Sequence, residues 1–423
     1  MTADHGTRLL LLSATGAEKL AGLARDTAVL LTRPGGPSLP EVCARAADGP
    51  HAAHRLSVTG RTAEEVAARL DAHLAGETVR EVHTGVAEGP ARVAFLFSGQ
   101  GAQFAGMGQG LYRTERVYRE TFDRCADAAR PFVSTPLQRL LHPDAEPHVV
   151  HRTAHGALGT FCVSTALAEL WRSRGVEPAT VLGFSSGEYA AAACAGALRV
   201  EDAVRLLGTE ITLAERVTDG AMAVVALDEH TALDVLEDFG PTVGIAAVIS
   251  PGEVSLSGRA ATLDRITQRL AASGIRVSRL PVPAGLHSPL QEPALGELAA
   301  VAKGVRTCVP RVPFVSTVTG RPLEAGQLTP VYWGRHMRGP VRFLDAIRVM
   351  DAMGIRAFLE LGPGRALVGL GARCLPGGGR LWPASLGRST DGTGTMLDAL
   401  GRLYTAGAPV SRTAVGAGAR PAP

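Results

Sequence analysis

The chain has 423 residues, 46% of them apolar and 20% charged, with a formal net charge of +3. That length suits two or three domains, and the apolar share is enough to fill a sizeable core. So small a net charge, with 4% aromatic residues, excludes a basic phosphate-binding surface or a base-stacking platform, and no nucleic-acid partner is expected.

Taken in chain order, residues 8–13 read as a short strand, and apolar residues at helical spacing follow from Ala17 to Leu31. A Pro/Gly break at Arg33 to Pro40 separates these from a second strand at His54–Thr59. Thr62-Ala-Glu-Glu is a capping-box pattern that opens a helix running to Leu74. Residues 1–91 are therefore expected to form a small α/β domain. Beyond Gly89 and Pro90, Arg92-Val-Ala-Phe-Leu-Phe-Ser is a continuous apolar strand of the kind buried in a parallel sheet, and the main domain is expected to start at 92.

An apolar helix from Gly156 to Arg172, a strand end at Val181-Leu-Gly and a helix from Glu188 continue an alternation that implies a parallel α/β sheet. From Met222 the order becomes strand, helix (Ala232–Phe239), strand (Val243–Ile249), strand (Val254–Ser257), helix (Ala261–Ser273), strand (Arg276–Leu280). This β-α-β-β-α-β order predicts a ferredoxin-like small domain over 222–286, inserted in a large domain made of 92–221 and 287–376. After Gly371 the chain is Gly/Pro-rich, makes one helix near Met396–Tyr404, and ends in Ser411–Pro423, which has little to bury and is expected to be disordered.

The six cysteines, Cys43, Cys125, Cys162, Cys194, Cys308 and Cys374, form no C-x-x-C pair and have no histidine at metal-ligand spacing. They read as reduced core thiols, with no metal site and a cytoplasmic location. No apolar run approaches the roughly 20 residues of a membrane span, so neither membrane insertion nor export is expected.

Gly183-Phe184-Ser185-Ser186-Gly187 follows a strand and precedes a helix, as in a nucleophile elbow. Such a turn needs its glycines because side chains there collide, and it projects one serine hydroxyl at the positive end of the following helix. Ser185 is the nucleophile candidate, with Ser186 offering a backbone N–H to an oxyanion. In a chain with 50 glycines the five residues alone fit a plain βα turn equally well.

Other segments separate these readings. Phe97-Ser-Gly99-Gln100-Gly101-Ala-Gln103 and Gly183 to Glu188 resemble the G-Q-G and G-H-S-x-G-E segments of polyketide-synthase-type, malonyl-transferase-like acyltransferases. Gly285-Leu286-His287-Ser288, with Ala284 before it, is similar to the family's histidine segment. Tyr332-Trp333 through His336 to Phe343 and Phe358 to Gly364 resemble its later landmarks. The resemblance covers nearly the whole chain. It makes 1–91 similar to the linker between a ketosynthase and its acyltransferase, and 377–423 to the linker that follows and its tail. With no ketosynthase in view, it implies a freestanding enzyme. The fold implied is a large α/β hydrolase-like core with an inserted ferredoxin-like small domain.

The same resemblance assigns roles. His287 is the general base for Ser185, and the N–H groups of Gln100 and Ser186 form the oxyanion hole. No cofactor is implied; the substrates are acyl-CoA or phosphopantetheinyl carrier thioesters, and the partner is an acyl carrier protein. The family orients its histidine by a backbone carbonyl near the place held here by His336, where asparagine is common. Since only the carbonyl is required, that difference is expected to be neutral.

Four departures concern the acyl group. Glu210 stands where malonyl-carrying relatives have an arginine for the carboxylate. At about 4 Å and an effective dielectric near 20, this reversal changes the interaction by several kcal/mol. The alternative is that Glu210 turns to solvent or to Arg205 or Arg216. Phe184, Leu286 and Ile249 replace family histidine, serine or phenylalanine, and asparagine, and each makes the pocket more apolar. The expectation is therefore transfer of a non-carboxylated acyl group, amine-bearing if Glu210 faces it. The alternatives are thioester hydrolysis for proofreading, ordinary malonyl or methylmalonyl transfer, and an inactive docking scaffold. The intact Ser185, His287 and Gln100 argue against a scaffold, and transfer and hydrolysis need the same dyad.

Overall fold

The structure, a computed structural model, describes residues 6–48, 51–281, 285–388 and 392–411. Ala284 and nearly all of the tail expected to be disordered lie outside the described residues. Leu9, Leu10, Leu11 and Leu12 are all buried, so the strand they form must be covered on both faces. That strand, β1 (Arg8–Ala14), pairs antiparallel with β2 (His54–Gly60), which pairs antiparallel with β3 (Val82–Val86). On one face Gly60 lies against Val66 of the helix Ala63–Leu74; on the other, Gly401 of the helix Gly392–Thr405 lies against Ser57 and Leu9. The Arg55 guanidinium donates to the Tyr404 carbonyl (2.9 Å), and His83 pairs with Asp398 at 2.7 Å. The helix expected to belong to a separate linker thus completes the N-terminal sheet, because four consecutive buried leucines need a second covering layer.

The expected break at Arg33–Pro40 is shorter than the glycines and prolines suggested. A helix runs over Leu39–Ala47 with Pro40 in its first turn, where proline costs no hydrogen bond. The Ser38 backbone N–H donates to Glu41 Oε2 at 2.7 Å, half of a capping box.

The central layer starts with β4 (Val93–Phe97), buried throughout, which pairs parallel with β5 (Pro178–Gly183). The helix Thr153–Ser173 packs beside them and anchors through Trp171, whose indole N–H donates to Ser385 Oγ at 2.8 Å. Next come β6 (Gly220–Val225), β7 (Val243–Ser250), β8 (Glu253–Arg259) and β9 (Val277–Leu280), with the helices Glu229–Glu237 and Ala260–Ala272 between them. These strands form a separate antiparallel sheet in the order β7-β8-β6-β9. A short ribbon, β10 (Val315–Ser316) and β11 (Arg321–Pro322), precedes β12 (Ala357–Leu361), which returns to pair parallel with β4.

The order β12-β4-β5 brings the carboxyl ends of three parallel strands to one edge, where ligands of open α/β sheets bind. Gly99-Gln100, Ser185 and Gly362 follow those ends. Among the described residues no helix is long and apolar enough to cross a membrane, and no cluster of His, Cys, Asp and Glu could hold a metal ion. All six cysteines are free thiols, and Cys308 is the exposed one.

Candidate active site

The turn from β5 into the helix Gly187–Cys194 is too tight for side chains at its flanks. A Cβ on Gly183 would come 2.2 Å from the Glu188 nitrogen, and one on Gly187 2.2 Å from the Phe97 oxygen. Between them Ser185 takes a left-handed backbone with φ +53°. Its Oγ lies 2.7 Å from Nε2 of His287, which arrives from the opposite side after the small sheet.

His287 Nδ1 is 2.9 Å from the backbone carbonyl of His336 and must donate to it, which leaves the Nε2 lone pair facing the Ser185 hydroxyl. Burial, and then the positive charge of His336, push His287 down to about 4. At neutral pH it is an uncharged imidazole able to accept a proton. This is the geometry of a hydroxyl nucleophile with its base.

His336 does more than sequence reasoning gave it. Nδ1 of its ring is 2.9 Å from Glu210 Oε2, and Nε2 is 3.0 Å from the Ser185 carbonyl oxygen. Both partners are acceptors, so both ring nitrogens must carry hydrogen and the ring is an imidazolium. Burial opposes that charge, but the Glu210 carboxylate outweighs it and pushes His336 up to about 9. Burial likewise opposes ionisation of Glu210, and the imidazolium overcomes it and holds this carboxyl below its usual range. The Tyr189 hydroxyl donates to the same Oε2 at 2.7 Å.

The expected contact between Glu210 and an acyl group is therefore corrected. Glu210 is 7% exposed, is not among the residues lining the cleft beside Ser185, and its carboxylate is taken up by His336 and Tyr189. The alternative partners are engaged elsewhere, Arg205 with Asp202 and Arg216 with Glu297. The sequence signal was the coincidence of two departures: an acid at 210 and a potential cation at 336 replace a cation and a neutral amide.

Phe184, Leu286 and Ile249 do come together. They line a cleft of about 530 Å³ beside Ser185, between the central layer and the small sheet, with Met222, Val224 and Leu280. Among the described residues no lysine, arginine, aspartate or glutamate lines it. Phe184 is braced edge-to-face on Phe343, with ring centres 5.4 Å apart.

Gln100 stands at the cleft mouth, and its backbone N–H donates to Ser186 Oγ at 2.9 Å. Ser186 was expected to act through its backbone N–H alone; here its hydroxyl also occupies the Gln100 donor. Below the site, buried Glu188 accepts from Tyr332 and from the Thr317 hydroxyl (2.8 Å), tying the helix Gly187–Cys194 to the helix Pro330–Arg338. Burial raises the Glu188 carboxyl above its usual value.

The chain is similar to many known proteins. The family model described as acyl transferase domain matches residues 94–375. Polyketide synthase GfsB of Streptomyces halstedii is 38% identical over 325 residues, 76% of this chain but only 6% of its own length. The acyltransferase domain of SpnD, solved with 2-(pent-4-yn-1-yl)malonyl, superposes with a TM-score of 0.84 at 33% identity, covering 95% of this chain and 96% of that one. The acyltransferase domain from module 8 of the salinomycin polyketide synthase gives 0.88 at 29% identity, covering 96% and 98%. The chain thus spans a small fraction of the curated relatives it matches and nearly all of the solved domains. The chain belongs to the acyltransferase family of polyketide synthases.

Proposed function

We propose that this acyltransferase moves a non-carboxylated acyl group from a coenzyme A or carrier-protein thioester, through an ester on Ser185, to the phosphopantetheine thiol of an acyl carrier protein. Acyltransferases of this family take acyl thioesters and need no cofactor. The observation that carries the reading is the mostly apolar lining of the cleft beside Ser185, which among the described residues includes no lysine, arginine, aspartate or glutamate. Its polar members besides Ser185 and His287 are Gln100, Gln103, His151, Thr153 and Ser255. A malonyl carboxylate entering it would lose hydration and meet no lysine or arginine among the described residues, a cost of several kcal/mol. With Glu210 bound to His336, no aspartate or glutamate among the described residues lines the cleft to favour an amine, and an uncharged acyl group fits best.

His287 Nε2 takes the Ser185 proton as Oγ adds to the thioester carbonyl, and the oxyanion displaces Ser186 Oγ from the Gln100 N–H. Collapse breaks the C–S bond, and the proton on His287 goes to the leaving thiolate. The carrier thiol then gives its proton to His287 and attacks the ester, and Ser185 leaves and recovers its proton.

The strand order of the small sheet and the parallel pairing of β12, β4 and β5 support dividing the enzyme into a hydrolase-like core (92–221 and 287–376) and a ferredoxin-like insert (222–286). Residues 1–91, closed by the helix Gly392–Thr405, form the linker-like domain. A two-carrier assay tests the function: an apolar acyl group on one carrier protein is expected to appear on a second, free carrier. Free acid in its place would identify a hydrolase.

A further inference from the structure

We propose that the His336 ring, held by Glu210, is a positioning group of this site that fixes the nucleophile turn, beside the main-chain carbonyl by which the resemblance already has this position orient the base. The role rests on the reading of Ser185 and His287 as nucleophile and base. Ser185 holds a backbone conformation that non-glycine residues avoid, and its carbonyl oxygen accepts from the Glu188 N–H (2.8 Å) and from His336 Nε2 (3.0 Å). The first bond belongs to the helix; the second ties the turn to a different element.

The carbonyl of the same residue, His336, accepts from His287 Nδ1. A shift of this one residue would displace both reacting groups. Its ring is wedged between Tyr189 and Trp333, with ring centres 5.1 and 5.8 Å away.

Two N–H donors are needed for two acceptors, so the ring works only while charged. The charged and titratable groups that face it are few. Glu210, on the helix Val200–Ala214, supplies the counter-charge, and Tyr189 donates to that carboxylate. Glu188, one residue before Tyr189, adds further attraction and is bound by Tyr332 of the His336 helix. His287 faces the ring at 5.8 Å between centres and is neutral. Because the resulting pKa, about 9, lies above the ordinary histidine value, the charge is present at lower pH and is lost as pH rises through about 9. The resemblance makes Glu210 and His336 a matched exchange for arginine and asparagine, neither of which suits the other's partner.

Nitrogen-15 NMR of histidines in the full chain, combined with Ser185 acylation rates across pH, tests the pair. The His336 ring is expected to be doubly protonated at about pH 8 in the wild type and neutral there in Glu210→Gln. That variant should acylate roughly tenfold more slowly at this pH, with its alkaline limb moved down by roughly one pH unit or more. Glu210→Arg combined with His336→Asn should acylate faster than the worse of its two single variants. A neutral His336 ring in the wild type, or a double exchange no better than the worse single one, would overturn the proposal. A wild type that forms no acyl-serine would count against the proposed function instead, and the ring titration would still decide the pair.

Discussion

Ser185 and His287 are the two non-glycine residues, among those described, with positive φ, each at +53°, and their side chains meet at 2.7 Å. A non-glycine residue in the left-handed region costs about 1–3 kcal/mol, so the surroundings must hold both. Glycines at 183 and 187 open the space on one side. On the other, His336 grips Ser185 with its ring and His287 with its carbonyl. Strain in the proposed nucleophile and its proposed base, offset by one shared neighbour, marks this as the place where geometry matters most.

Replacing Ser185 with alanine should abolish acyl-enzyme formation and transfer, because it removes the hydroxyl that meets His287 Nε2 at 2.7 Å. Ser186→Ala should retain activity or gain some, since it frees the Gln100 N–H for the oxyanion. Single-turnover acylation kinetics distinguish the two, and equal loss from both would contradict the assignment.

The acid limb of kcat/KM should fall near the low value of His287, about 4, well below the ordinary histidine value of about 6.5. The sign follows from the depressed pKa: the free enzyme keeps an uncharged base until pH drops through that value. In the same window the unfolded chain binds a proton that the folded one does not, so stability should also decline as pH falls from about 6.5 toward 4. A limb near 6.5 would show that another group is the base or that His287 is not shielded.

Glu210→Arg alone should not admit malonyl, because the new guanidinium would face the His336 imidazolium and leave it without its counter-charge. With His336→Asn added, some malonyl-serine should form, and Phe184→His should raise it by returning a polar group to the cleft. Adduct mass after exposure to malonyl-CoA reads both. Malonyl acceptance by the single variant would mean that an arginine at 210 can serve the cleft with the His336 ring still in place.

The helix Gly392–Thr405 should be integral to folding. Leu403 is fully buried, so Leu403→Ala is expected to cost about 2–5 kcal/mol and lower the melting temperature. A surface linker would show almost no change in the same melt.

Much of this architecture was legible along the chain. The apolar run Val93–Phe97 announced a buried parallel strand, and the elements from Met222 were readable in chain order as strands and helices. Ser185, His287 and Gln100 stand at strand ends and turns whose local chemistry is written in neighbouring glycines. The errors arose where contacts are distant. The face of the Leu9–Leu12 strand is covered by a helix that starts at Gly392, which no local period reveals. Glu210 was read against an absent arginine alone. Its real partner, His336, is 126 residues away, and only the two departures considered together point to it. Pro40 read as a breaker because its place in a first helical turn depends on Ser38 and Glu41.

The most direct test of the acyl preference is intact-mass spectrometry of the wild-type enzyme after brief exposure to equal amounts of malonyl-CoA and an apolar acyl-CoA such as butyryl-CoA. The mass of the apolar acyl ester, located on Ser185 by fragmentation and absent from Ser185→Ala, is the expected result. A dominant malonyl ester on Ser185 would contradict the account.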